Sequence, residues 1–140
     1  RSAIAATVVK DLVSSRGHKV PEAYPFILSA DIEKLAKTSE IQKLLATFGF
    51  EDELTRSAVK KVRSGIGKLR RRKYKRRKGI LIVVGEDCPL LNSARNVPGI
   101  DAVIVNALNA ELLAPGTHPG RVTLWTESAI NKLQEKRLFI

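Results

Sequence analysis

The sequence predicts an α/β domain in which a largely parallel sheet lies between helical layers. Three observations point there. After Gly79, short β-branched runs alternate with helical stretches. The first of these runs, Ile80 to Val84, is apolar throughout and flanked by glycines, as a strand buried on both faces requires. Before Gly79, apolar residues recur mostly at helical spacing. A chain of 140 residues, 44% hydrophobic and 28% charged, is long enough for one full core and too short for two ordinary domains.

Taken in order, Ile4, Val8 and Leu12 form one stripe of an amphipathic helix that Gly17 closes. Tyr24 to Ser29 reads as a short strand, and Asp31 as the cap of a short helix carrying Ile32 and Leu35. Ser39 and Gln42 have capping-box spacing before Ile41, Leu44, Leu45 and Phe48, and Gly49 is placed to end that helix. The next helix opens on Glu51, Asp52 and Glu53 and is expected to run through Leu54, Ala58 and Val62. Lys60, Lys61 and Arg63 then fall at its negative end. Past the Ile80 to Val84 strand, Pro89 opens a helix with Leu90, Leu91 and Ala94. Ala102 to Val105 is a second buried strand, and 106–113 a short irregular or one-turn piece. Val122 to Trp125 is another strand, and Thr126 caps a last helix with Ile130 and Leu133 facing inward. No fixed-period repeat is present.

The charge is concentrated. Of 25 basic residues, 12 lie in residues 60–78, which hold no acid; the remaining 13 face 14 acidic residues, a net of −1. The whole charge of +11 therefore belongs to one segment of 19 residues. Like charges so close repel, and a polyanion would relieve the repulsion while releasing counterions. Gly65 and Gly67 inside the run permit close backbone approach to phosphates, and Tyr74 stands between two basic clusters as a stacking or hydroxyl contact would. The expected RNA-contacting set is Lys60, Lys61, Arg63, Lys68, Arg70, Arg71, Arg72, Lys73, Tyr74, Lys75, Arg76, Arg77 and Lys78.

A catalytic constellation is not evident. The turn Gly85-Glu86-Asp87-Cys88-Pro89 lacks the glycine spacing of a dinucleotide or phosphate loop, and its acids would repel a phosphate. Glu86 and Asp87 are adjacent carboxylates without an oppositely tuned partner. His18 and His118 have no metal-ligand companions at usable spacing. The lone Cys88 makes no internal disulfide and reads as a small apolar residue near a strand end. No cofactor, metal or small-molecule substrate is expected. The longest apolar run, Ile80 to Val84, is far short of the ~20 residues that span a membrane, and Arg1 opens no signal-peptide pattern, so a reducing cytoplasmic setting is expected.

Four stretches carry a family resemblance. They are Ser2 to Thr7 with Arg16-Gly17-His18; Arg63 through Gly79; Ala94-Arg95-Asn96-Val97-Pro98-Gly99; and Leu113 to Arg121 followed by Trp125-Thr126-Glu127-Ser128-Ala129. In this order they resemble the universal large-subunit ribosomal protein four family (ribosomal protein L-four) in its archaeal and eukaryotic form. The resemblance implies a three-layer α/β/α domain with a four-stranded, mainly parallel sheet. It also implies a structural role in binding large-subunit rRNA and supporting subunit assembly near the peptide exit tunnel. The implied partners are rRNA and neighbouring large-subunit proteins, with the chain cytoplasmic in the ribosome and not a homo-oligomer. Carried over by position, Arg63, Lys68, Arg70, Arg72, Tyr74, Arg76 and Arg77 contact RNA. Arg16, His18, Arg95, Asn96, His118 and Arg121 are weaker candidates for RNA or protein contact. The family's N-terminal portion and its tunnel extension have no counterpart here, so residues 1–140 are expected to be the C-terminal globular part, a single domain containing the basic segment. Between Asp87 and Arg95 the sequence departs from the family, with Cys88, Pro89, Asn92 and Ser93 where a small residue and a lysine are usual.

Two rival readings remain. An RNA-modifying enzyme with an α/β catalytic domain and a basic substrate arm requires a cofactor loop after a strand. A sequence-specific DNA regulator requires a continuous recognition helix, which a basic run broken by two glycines does not offer. The charge distribution predicts a steep salt dependence. With on the order of 6–10 phosphate contacts, affinity for RNA should fall roughly 10³–10⁵-fold between about 50 and 200 mM salt, less steeply for single strands. A filter-binding titration across that range measures the slope.

Overall fold

Three strands of the main sheet begin at one edge of the molecule, where their flanking residues share hydrogen bonds. The computed structural model describes residues 1–139. Six strands are present among them: β1 (Ile27–Leu28), β2 (Lys60–Val62), β3 (Tyr74–Arg76), β4 (Leu81–Val84), β5 (Asp101–Ile104) and β6 (Thr123–Thr126). The helices are α1 (Ser2–Val8), α2 (Lys10–Ser15), α3 (Thr38–Thr47), α4 (Glu51–Ala58), α5 (Pro89–Arg95), α6 (Ala110–Leu113) and α7 (Glu127–Glu135), with four short 3₁₀ turns between them. The main sheet is four-stranded and parallel throughout, in the order β1-β6-β4-β5. Strands β2 and β3 form a separate antiparallel pair.

The side-chain alternation of the strands divides the interior in two. Ile80, Ile82 and Val84 of the central strand join Val122, Leu124 and Ala102 in a core covered by α3, α5 and the turn Ala30–Lys34. Leu81 and Val83 join Val103, Val105 and Trp125 in a second core covered by α1, α6 and α7. The architecture is therefore α/β/α, as expected, and β4 is buried over its whole length because helices cover both faces. Phe26, Phe48 and Phe50 close the first core, with Phe26 centroids 5.4 and 5.8 Å from the other two rings.

Several local expectations are corrected. The continuous N-terminal helix is two helices, broken at Val9, whose backbone is extended. Ala3 and Ile4 of α1 pack on the second core whereas Val13 of α2 is fully buried in the first, so the chain must turn as it passes from one face to the other. Val8 and Leu12, placed by periodicity on the buried stripe, are half exposed. Tyr24 secures the crossing, its hydroxyl donating to the Thr7 carbonyl and accepting from the Thr123 amide at 3.3 Å. Asp31 lies inside its 3₁₀ turn and pairs with Lys34 instead of capping it. Helix α3 starts at Thr38, so Ser39 is inside it and makes no cap bond. Helix α4 stops at Ala58, because the residues after it pair as a strand with Tyr74–Arg76. By contrast, Thr126 caps α7 as expected, accepting from the Ala129 amide at 3.3 Å. Pro89 stands in the first turn of α5.

Two buried ionic clusters hold the connections. Arg121 is fully buried and donates to the Gly79 carbonyl (2.9 Å), the Leu112 carbonyl (2.9 Å) and Asp101 Oδ2 (2.6 Å). Glu53 is fully buried too, accepting from the Lys19 amide at 3.0 Å and from Arg56 at 2.5 and 2.7 Å, and it meets His18 Nδ1 at 2.7 Å. Burial alone would raise both carboxyl pKa values. For Glu53 the bonds from Arg56, His18 and the Lys19 amide prevail, and for Asp101 those from Lys78 and Arg121, so both lie below the ordinary carboxylate range. A depressed folded pKa contributes stability that is present above the unfolded value, near 4, and is lost as pH falls through the folded one. The urea midpoint should therefore hold from pH 7 to about 5 and drop below about 4. Glu53→Gln should be less stable at pH 7 and show a shallower acid fall, which equilibrium unfolding at several pH values measures.

Candidate nucleic-acid interface

The basic segment folds into an arm on a minimal hairpin. Its strands pair in the register Lys60↔Arg76, Lys61↔Lys75 and Val62↔Tyr74, extended by the Arg63 amide donating to the Lys73 carbonyl at 2.8 Å. Two of the three pairs thus oppose like charges, which destabilises a hairpin by itself. Some compensation comes from Tyr74. The Lys60 ammonium lies 3.7 Å from its ring centroid, a cation–π contact worth about 0.5–1 kcal/mol when exposed. Arg63 Nε also donates to the Tyr74 carbonyl at 3.1 Å. Gly65, at φ +73°, turns the chain into the one-turn 3₁₀ helix Ile66–Lys68. Behind it the Arg70 amide reaches the Ile66 carbonyl and the Arg72 amide the Gly67 carbonyl.

Every residue from 59 to 78 is exposed except the half-buried Gly67. Lys60, Lys61, Arg63, Lys68, Arg70, Arg71, Arg72, Lys73, Lys75, Arg76 and Arg77 all point charge into solvent, with no acidic partner among the described residues. Lys78 differs: its ammonium donates to Asp101 Oδ2 at 2.8 Å. Lys61, Arg63, Arg72 and Lys75 surround an open hollow of about 560 Å³ between the hairpin and its loop. A concave surface of four cations suits a phosphate backbone better than a flat one, because several charges face one anion. Ile66 and Leu69, 64% and 78% exposed, stand beside these cations, a feature the charge count does not disclose.

The weaker candidates divide by burial. Arg95, Asn96 and His118 are exposed. Arg16 is half-buried and donates to the carbonyls of Pro115 and Pro119, tethering that loop. His18 and Arg121 are buried, His18 with Nδ1 against Glu53 and Arg121 with all three guanidinium nitrogens on protein acceptors. Residues absent from that set support the arm. Arg56 donates to the Lys78 carbonyl at 2.9 Å, and Asp101 holds the Lys78 side chain. Nothing in their local sequence marks them, since their role depends on which loops the fold brings together.

The opposite end of the sheet is where α/β folds usually bind nucleotides, in the crevice between strands whose connections leave on opposite faces. Here that crevice, between the ends of β4 and β6, is filled by Glu33. Its carboxylate accepts from the Gly85 amide at 3.3 Å, from Thr126 Oγ1 at 2.7 Å and from Ser128. A side chain at Gly85 would lie 2.7 Å from Ser128 Oγ, so the turn also lacks room. Cys88 is half-buried against the first core, its thiol pKa raised first by burial. No group of three metal-ligating side chains comes together among the described residues, nor is any helix there long and apolar enough to cross a membrane.

Comparison with known proteins gives a consistent result. The model of the ribosomal protein L4/L1 family matches residues 1–136. Large ribosomal subunit protein uL4 of Methanococcoides burtonii is 51% identical over 135 residues, covering 96% of this chain and 53% of the relative. The uL4 proteins of Methanospirillum hungatei and Methanosphaera stadtmanae are each 50% identical, over 133 and 136 residues, covering 94% and 95% of this chain and 53% and 52% of theirs. The chain spans about half the length of the curated relatives it matches.

A three-residue two-stranded hairpin without a buried face is marginal in water. Ordering a residue costs roughly 1–2 kcal/mol of backbone entropy, and the arm buries almost nothing in return. In the free protein, amides from Lys68 to Lys78 should exchange within seconds while those of Leu81–Val84 stay protected, and RNA should slow the former. Hydrogen exchange with and without RNA reads this directly; strong protection of the arm in the free protein would contradict it.

Proposed function

Since the chain belongs to the ribosomal protein L4/L1 family, we propose that it is a structural part of the large ribosomal subunit. On this reading it binds large-subunit rRNA and supports subunit assembly near the peptide exit tunnel, without catalysis. The observation that carries the reading is the arm: 12 of 25 basic residues with no acid, projected on a hairpin that repels itself until a polyanion arrives. Arg63, Lys68, Arg70, Arg71, Arg72, Arg76 and Arg77 bind backbone phosphates, with Lys60, Lys61, Lys73 and Lys75 adding charge and Tyr74 a stacking face. Lys78 roots the arm through Asp101 more than it contacts RNA. The α/β/α body, near neutral outside the arm, places the arm and meets neighbouring large-subunit proteins through loops such as that of His118. The working form is a single copy in cytoplasmic ribosomes, without cofactor, metal or small-molecule substrate. A modifying enzyme is the poorer reading because Glu33 occupies the crevice such chemistry would use.

The test is co-sedimentation with large subunits in high salt. The wild-type chain should pellet with them, and a variant with Glu at Arg70, Arg71, Arg72, Arg76 and Arg77 should remain in the supernatant. These side chains make no bonds to the body among the described residues, so circular dichroism and the urea midpoint should change little. Undiminished binding by a folded variant would refute the assignment of the arm.

A further inference from the structure

Beside the root of the arm lies a second concavity. Residues 76–78 run along one side, and the loop from α5 to β5 forms the other, enclosing about 250 Å³. The fold pins that loop. The Gly79 amide donates to the Gly99 carbonyl at 2.9 Å, and Ser57 Oγ donates to the Pro98 carbonyl at 3.1 Å. Gly99, at φ +83°, lies so near α4 that a side chain there would meet Ser57 Cβ at 2.4 Å. The cleft therefore has one rigid wall before any ligand arrives, so only the side formed by the arm has to be ordered on binding.

Its chemistry differs from that of the hollow in the arm. Arg76 and Arg77 are exposed at one rim and Asn96 at the other. Arg95 Nε donates to the Ala102 carbonyl at 3.3 Å, which holds the guanidinium along the rim, its terminal nitrogens making no bond among the described residues. Asp101 contributes a carboxylate 31% exposed, with Oδ2 taken by Lys78 and Arg121 and Oδ1 accepting no bond among the described residues. Pro98 supplies an apolar wall. Cations alone would describe one more phosphate contact, but a carboxylate acceptor and an amide beside them describe the edge of a base. A duplex cannot enter so small a hollow, whereas a base swung out of its stack can, stacking on an arginine plane while its phosphate stays at the rim.

Resting on the proposed RNA-binding role, we propose that this cleft takes one unpaired nucleotide of the bound RNA. The phosphate sits on Arg76 and Arg77, and the base turns inward to Asn96 and Asp101 Oδ1. Because Asp101 can only accept, a base offering an exocyclic amino group fits best, and uracil, which has none, fits least.

The test uses the full chain and RNA hairpins identical except for one bulged nucleotide (G, A, C or U) or none. Wild-type protein should bind at least one of the amino-bearing bulges roughly tenfold more tightly than the unbulged hairpin, and the U bulge less tightly than that one, a difference typical of a single base-edge contact. Asn96→Ala should erase this preference, weakening the bulged hairpin about tenfold more than the unbulged one. Equal binding to bulged and unbulged RNA, a preference for U, or a preference that survives Asn96→Ala would overturn the proposal. Should Asn96→Ala weaken both RNAs alike, the residue serves general affinity and the cleft assignment also falls. Failure of the arm itself reads differently, as loss of salt-sensitive binding to every hairpin without any effect of the bulge.

Discussion

The guanidinium of Arg121 joins the places where three parallel strands begin. It is fully buried and bonds the Gly79 carbonyl ahead of β4, Asp101 at the start of β5 and the Leu112 carbonyl, while itself standing just before β6. A buried charge of this kind is tolerated only when its partners are complete, because desolvation costs several kcal/mol per ion. Here they are complete enough to fix the edge from which the arm departs. Asp101 also holds Lys78, and Arg56, itself bound to the buried Glu53, takes the Lys78 carbonyl. The last residue of the basic segment is thus gripped by both side chain and backbone, although the rest of the arm is exposed.

This grip separates two tasks that charge alone would set in conflict. Twelve cations on one segment repel one another, and a hairpin with Lys60 opposite Arg76 and Lys61 opposite Lys75 gains little from its own pairing. If that strain were shared with the sheet, the whole domain would be weakened. Instead the body carries a net of −1 outside residues 60–78 and buries its apolar strands on both faces, leaving the repulsion confined to the exposed arm. The stability of the body is then nearly independent of the charge on the arm.

The two ends of the sheet have different fates for a related reason. At the strand C-termini the crevice that a parallel sheet opens is filled by Glu33, bonded to Gly85, Thr126 and Ser128. At the strand N-termini the loops are joined through Arg121 and Asp101, and the basic arm emerges there. An acid in the usual ligand crevice and cations at the other edge reverse the polarity of a nucleotide-binding α/β domain.

The sequence by itself determined the fold class, the strands of the parallel sheet and the position of the cationic segment. Each of these follows from near-neighbour properties: the unbroken apolar run Ile80 to Val84, Pro89 and Thr126 at helix starts, and 12 cations within 19 residues. The family resemblance added strand number and layer order. Tertiary structure alone decided the rest. The break at Val9 arises because α1 and α2 serve opposite faces of the sheet, which no helical period encodes. Helix α4 ends at Ala58 because Lys60 to Val62 find a partner strand 14 residues further on, at Tyr74–Arg76. His18 and Arg121 look like surface polar residues in their loops and are buried, because Glu53 and Asp101, 35 and 20 residues away, are brought to them. Local composition sets what a segment can form; whether a charged side chain meets water or a buried carboxylate depends on which distant segments the fold lays beside it.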